Sequence, residues 1–340
     1  MNKKGLWFLG LFAVIITVII IFMLQRRAAE IVQSDAGDIA VLNIKRVDFS
    51  ESINSYLAWI PGEQNRIAAI SEGFSKGDKI YSYDLETGAT KELYDLEDYG
   101  LERGSQSGFF WSIDGKHIVI GSGGVIDLKK NSGYWLGTPE GSKVEDIDVL
   151  ALSSDGNDLF VHIWRKGFFF MNMNSGKYQQ FQMNPNVFFP PLYPLAWSSD
   201  GNWVAVATYD PDHPPKTIAE EVPEALYLLR VNGQESRLIA RNIEERIDSV
   251  SFSSDGSKFI WVEARKGEQY IYIANIDGSG AHEIFSNANL PSEYNIPTTS
   301  NLLWSPDGNR IVFAGPPDKH FNYHFWVLTL GKASPTTSNP

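Results

Sequence analysis

Five stretches decide how this chain is read: FFWSIDGKHIVIGS (109–122), LALSSDGNDLFVHI (150–163), LAWSSDGNWVAVAT (195–208), VSFSSDGSKFIWVE (250–263) and LLWSPDGNRIVFAG (302–315). A sixth, degenerate copy, LAWIPGEQNRIAAIS, starts at Leu57. Each of the five has a large apolar residue, then a Ser-x-Asp-Gly turn, then a run of about six mostly apolar residues. The anchor residues Trp59, Trp111, Leu152, Trp197, Phe252 and Trp304 are spaced by 52, 41, 45, 55 and 52 residues. A period of about 40–50 residues with strand-like content is the signature of propeller blades.

The unit follows from local chemistry. The large residue ends a short inner strand. Asp accepts hydrogen bonds from the turn backbone and Gly takes the positive φ the turn needs, so Asp114, Asp155, Asp200, Asp255 and Asp307 read as structural turn residues. One Asp per repeat is the pattern a structural role predicts, and metal-ligand or acid roles for them are set aside. Two more strands follow in each copy, as in IYSYDLETGATKELY (80–94) and IYIANIDGSGAHEIF (271–285), joined at a tight Gly turn. The expected fold is therefore all-β: a six-bladed β-propeller of four-stranded antiparallel blades, preceded by one N-terminal transmembrane helix.

The last copy has no fourth strand after Phe325–Leu330, and residues 331–340 read as a disordered tail. The strand-like stretch Asp38–Ile44 lies outside the six copies. It is expected to close the ring as the outer strand of the blade that carries Trp304, because closure removes unpaired sheet edges.

These repeats, W-S-x-D-G followed by an apolar run and I-Y-x-x-D-x-x-T/S-G, resemble the WD40-like repeats of the TolB-type and prolyl-oligopeptidase-type propellers. The resemblance covers residues 38–330 and implies a six-bladed propeller. For the TolB family it implies a partner-binding role outside the cytoplasm. The extra N-terminal domain of that family has no counterpart here, and an apolar segment stands in its place.

That segment, Gly5 to Leu24, holds 20 residues without a charge, flanked by Lys3 and Lys4 and by Arg26 and Arg27. At about 1.5 Å per residue it spans the ~30 Å hydrocarbon layer. It is longer than the apolar core of a cleaved signal peptide and ends in an Arg pair. Residues 1–27 are read as a cytoplasmic stub and uncleaved anchor, with cleavage as the alternative. Residues 28–37 then form a linker, and the body 38–330 lies outside the cytoplasm, in a periplasm or at a cell surface.

The 340 residues carry 29 Lys and Arg, 41 Asp and Glu, and no cysteine. The four charges before Ala28 are all basic, so the body has 25 basic and 41 acidic residues, a net of −16. This balance argues against nucleic acid as a partner. The missing cysteines exclude disulfides, thiolate metal sites and a thiol nucleophile. There is no His-Glu-x-x-His and no phosphate loop, and no catalytic residue and no cofactor is assigned.

Candidate contact residues come from the connections. TYDPDHPPK (208–216) holds Asp210, Asp212, His213 and Lys216. PPDKHFNYH (316–324) holds Asp318, Lys319, His320 and His324. Both join second to third strands, on the face opposite the Asp turns. The long connections 94–108, 183–195 and 285–301 reach the same face, and long loops there are candidates for function. The middle one offers Phe188, Phe189 and Tyr193, either packed on the ring or exposed for docking. His213, His320 and His324 are the candidates for a metal site, which needs convergent ligands. The reading favoured is a membrane-anchored, non-catalytic module or scaffold that binds a protein or peptide at this rim. The alternative is a propeller enzyme, a polysaccharide lyase or hydrolase, with a His/Asp site, with or without metal, at the channel mouth.

Overall fold

The computed structural model describes residues 38–48, 53–71, 78–101, 108–138, 147–153, 155–181, 196–210, 212–213, 223–231, 235–243, 246–288, 302–315 and 324–332. Within these described residues twenty-four strands form six four-stranded antiparallel sheets. Blade 1 is β2 (Ile53–Trp59), β3 (Arg66–Ser71), β4 (Lys79–Asp84) and β5 (Thr90–Asp95). Blade 2 is β6 (Phe109–Trp111), β7 (His117–Ile120), β8 (Gly124–Asp127) and β9 (Ser132–Trp135). Blade 3 is β10 (Ile147–Leu152), β11 (Asp158–Ile163), β12 (Gly167–Asn172) and β13 (Lys177–Gln180). Blade 4 is β14 (Ala196–Trp197), β15 (Trp203–Tyr209), β16 (Glu224–Arg230) and β17 (Ser236–Ile243). Blade 5 is β18 (Arg246–Phe252), β19 (Lys258–Arg265), β20 (Glu268–Asn275) and β21 (His282–Ser286). Blade 6 takes β22 (Leu303–Trp304), β23 (Arg310–Ala314) and β24 (His324–Lys332) from the end of the chain, and its outer strand β1 (Ile39–Asp48) from the beginning.

The core is a ring of six hydrophobic clusters, each built from two neighbouring blades. Strand alternation explains this. In β7, Ile118 and Ile120 pack toward blade 1 while Val119 packs toward blade 3. A middle strand is thus apolar on both sides, which is why these runs read as nearly continuous Val, Ile and Ala. Each of the six anchor residues joins a different cluster.

The Ser-x-Asp-Gly turns are built as expected, with one addition. In all five, the Asp Oδ1 accepts from the backbone N–H two residues on, at 2.9–3.1 Å. The Ser before it was not singled out from sequence, yet it holds both ends of the turn. Its Oγ donates to the same Asp Oδ1 at 2.5–2.8 Å. It also accepts from the first N–H of the next strand at 2.8–3.0 Å. All five serines are buried. A hydroxyl is the smallest side chain able to do both.

The turns also link blades. Gly156 has φ +70, and a Cβ on it would meet Ser112 Cβ at 2.8 Å, so the blade 3 turn nests on that of blade 2. Ser199 Oγ donates to the Ser253 carbonyl at 2.6 Å, and Ser254 Oγ to the Pro306 carbonyl at 2.7 Å. Between blades 6 and 1, Arg310 donates to the Gln64 carbonyl at 2.6 Å and to Asn65 Oδ1 at 2.8 Å. In every blade the first turn is tied to the end of the third strand by one backbone bond, from Leu85 N to Asn65 O in blade 1 through to Leu330 N to Asn309 O in blade 6. These features define a turn face. The strand ends that lead into the second-to-third and fourth-to-first connections lie on the opposite face, called here the connection face.

The closing ladder runs antiparallel from Ile39 opposite Lys332 to Asp48 opposite His324, with a register shift between Val41 and Asn43. One expectation is corrected here. Gly331 and Lys332 belong to β24 rather than to a tail, because β1 extends far enough to pair with them. Residues 333–340 lie outside the described residues, as does the expected membrane segment Gly5–Leu24. Among the described residues no helix is long and apolar enough to cross a membrane.

Candidate functional site

His324 is the second correction. It is not a rim-loop residue but the first residue of β24, 4% exposed. Its ring meets Trp326 edge-on at 5.5 Å and lies flush on Gly315, where a Cβ would come within 2.2 Å of Nε2. Its position is a packing one, and blade 6 holds it two blades away from His213. Among the described residues no group of three or more His, Cys, Asp or Glu is placed to hold a metal ion. Lys216, Asp318, Lys319, His320, Phe188, Phe189 and Tyr193 lie outside the described residues.

Asp210, Asp212 and His213 do fall together, directly after β15. Asp210 is 1% exposed. Its N–H donates to the Pro223 carbonyl at 2.8 Å, and its carbonyl accepts from His213 N at 2.9 Å. Its Oδ1 accepts from Asp212 N at 2.9 Å and faces His213 Nδ1 at 3.9 Å. Asp210 therefore orders the start of the connection as an Asx-type turn. That frees Asp212 to point outward, where Oδ2 pairs with Arg241 Nη1 at 2.5 Å from β17. Arg241 was missed from sequence: 29 residues separate it from Asp212, and only the fold brings them together.

This group sits at the seam between blades 3 and 4. Tyr227, in the cluster shared by those blades, senses it: burial first, then the nearby Asp210 and Asp212 carboxylates, push its phenol up, against the opposing pull of Arg241. Thr208, fully buried two residues before Asp210, leaves its Oγ1 without a hydrogen-bond partner. Blade 3 contributes an aromatic step at the same end of the seam. Phe168 packs on the shared cluster, the His162 ring lies 5.1 Å from it, and Trp164 meets His162 edge-on at 6.5 Å. His162 Nδ1 is 3.6 Å from Asp148 Oδ2. Trp164, at the tip of the β11–β12 hairpin, is 61% exposed. An exposed indole and an exposed Arg–carboxylate pair at the same end of one seam are interface chemistry: Trp and Arg are enriched at binding hot spots. Among the described residues the seam shows no nucleophile held by a base.

The turn carboxylates on the other face are electrostatically quiet supports. Burial pushes Asp114 up, but hydrogen bonds from Lys116 and Ser112 outweigh it and hold the carboxyl at about 2. The Ser153 hydroxyl lowers Asp155. In Asp200, Asp255 and Asp307 burial raises the carboxyl, and the Ser and backbone donors still bring it below the usual range. All five are ionised at neutral pH.

The chain has the fold of a six-bladed β-propeller. The solved structures it is similar to include TolB from Acinetobacter baumannii, at 14% identity with a TM-score of 0.53 over 81% of this chain and 68% of that one. They also include a putative TolB from Agrobacterium tumefaciens, at 13% identity with a TM-score of 0.55 over 87% of this chain and 99% of that one. An oligogalacturonate lyase in complex with manganese superposes more loosely, at 12% identity and a TM-score of 0.48 over 87% and 91% of the two chains. No family model matches the sequence, and no curated protein does. At these identities the likeness is one of fold.

Proposed function

We propose that this propeller is a membrane-anchored, extracytoplasmic binding module or scaffold that holds a protein or peptide partner at the blade 3/blade 4 seam of its connection face. One observation carries the reading: Trp164 and the Asp212–Arg241 pair, all exposed, stand at the same end of one blade seam, the pair following a buried carboxylate that orders the start of its connection. The partner is a neutral or basic polypeptide segment, since the body carries a net of −16 and complementary charge steers association. The anchor is the apolar segment Gly5–Leu24, and the body stands outside the cytoplasm because Lys3, Lys4 and the N-terminal amine keep the short N-terminal flank inside.

The test is in-membrane crosslinking and affinity capture of the full chain, followed by mass spectrometry, against the variants Trp164→Ala and Arg241→Glu. The expected result is one dominant protein partner whose recovery drops at least about tenfold in either variant, as loss of a hot spot of 1.4 kcal/mol or more requires. A partner retained equally by both variants would place the contact elsewhere. Turnover of an oligosaccharide by the purified chain would replace this reading with the enzymatic one.

A further inference from the structure

The polarity of the closing strand fixes which face of the ring looks at the membrane. Asp48 pairs with His324, the residue that follows the blade 6 connection, so that end of β1 lies on the connection face. Ile39 pairs with Lys332, next to Leu330, whose N–H is bonded to the first turn of the blade at Asn309. Ile39 is therefore on the turn face. A second contact pins it there. His282, the first residue after the last turn of blade 5, donates from Nε2 to the Ile39 carbonyl at 2.8 Å. The chain that precedes β1 leaves the ring at the turn face, between blades 5 and 6.

Resting on the anchored reading above, we infer that the turn face, with its ring of Ser-x-Asp-Gly turns, is apposed to the lipid bilayer. The connection face, with Trp164 and the Asp212–Arg241 pair, is presented away from it to a partner that is soluble or held on an opposing structure. The geometry limits the alternatives. The nine residue steps of β1 give the blade a height of about 30 Å. The 13 residues between Leu24 and Asp38 have a root-mean-square span of about 20 Å if flexible. Inverting the ring would need that segment to climb the full side of the blade, well beyond its relaxed span.

The absence of native cysteine makes the test clean. The full chain is reconstituted in phosphatidylcholine nanodiscs containing a headgroup-labelled acceptor lipid. A donor dye is attached either at Lys129→Cys, exposed in the last turn of blade 2 on the turn face, or at Arg165→Cys, exposed at the β11–β12 tip on the connection face. Energy transfer to the lipid is expected to be several-fold greater from position 129. Equal transfer, or more from position 165, overturns the orientation. A chain that elutes free of the discs overturns the anchored reading itself, and the two failures are told apart by size-exclusion before any fluorescence is read. An urea midpoint unchanged by each substitution shows that both labels report on a folded ring.

Discussion

Ser198→Ala is the sharpest probe of how these blades are held. Ser198 is fully buried. Its Oγ accepts from Trp203 N at 2.9 Å and donates to Asp200 Oδ1 at 2.5 Å. The alanine variant leaves the Trp203 N–H, at the buried start of β15, without an acceptor, which costs about 1–3 kcal/mol. Asp200 keeps two donors from Asn202, the backbone N–H at 3.0 Å and Nδ2 at 2.9 Å, so losing the hydroxyl there costs about 1 kcal/mol. Together the loss is about 2–4 kcal/mol, or about 4–8 °C in melting temperature for a ring of this size. The control is Ser199→Ala, one residue on. It removes a single bond to the Ser253 carbonyl from a half-exposed hydroxyl, for about 1 kcal/mol. The assay is urea unfolding of the full chain in detergent, followed by tryptophan fluorescence. A Ser198→Ala variant within about 0.5 kcal/mol of the parent, or no worse than Ser199→Ala, refutes the argument that the repeated Ser closes the turn.

The same turns set the acid limit of the fold. Their carboxyls are lowered in the folded state, so they contribute stability that is present above the unfolded value of about 3.9 and is lost as pH falls through the folded values, which reach about 2 at Asp114. The urea midpoint should thus hold near neutral pH and fall between about pH 4 and pH 2, less steeply in Ser198→Ala; a flat profile there would contradict the assignment. Arg310→Ala, which severs two bonds across the blade 6/blade 1 seam and a cation–π contact 5.8 Å from the Trp59 ring, should lower stability by about 2–3 kcal/mol in the same assay. Gly315→Ala should displace the His324 ring and cost about 1–3 kcal/mol, whereas an unchanged midpoint would mean that the ring moves aside freely.

The blades were legible because each repeats the same local solution. Asp and Gly mark the turn by their own backbone chemistry, and Val, Ile and Ala mark strands buried on two sides. The Ser was visible in the five regular copies, yet nothing local distinguishes a hydroxyl that bridges a turn from one that merely tolerates it. His324 was misplaced for a related reason. Its neighbours Pro316, Pro317 and Lys319 look like loop, and only the bare Gly315 across the ladder makes room for an imidazole inside the sheet. The seam between blades 3 and 4 was legible only in half. Asp210, Asp212 and His213 are contiguous, but Arg241 and Trp164 arrive from other strands, and convergence of that kind is a property of the closed ring.

The β1–β24 ladder also gives the ring a mechanical anisotropy. Ile39 and Lys332 lie at the same end, so pulling the two ends of the chain apart would open the ladder one pair at a time, like a zipper. Tension on the segment before Ile39, opposed by a load on the far face, instead acts along β1 and strains the whole ladder from Ile39 to Asp48 in shear. A propeller tethered by this strand would yield readily to one direction of force and resist the other.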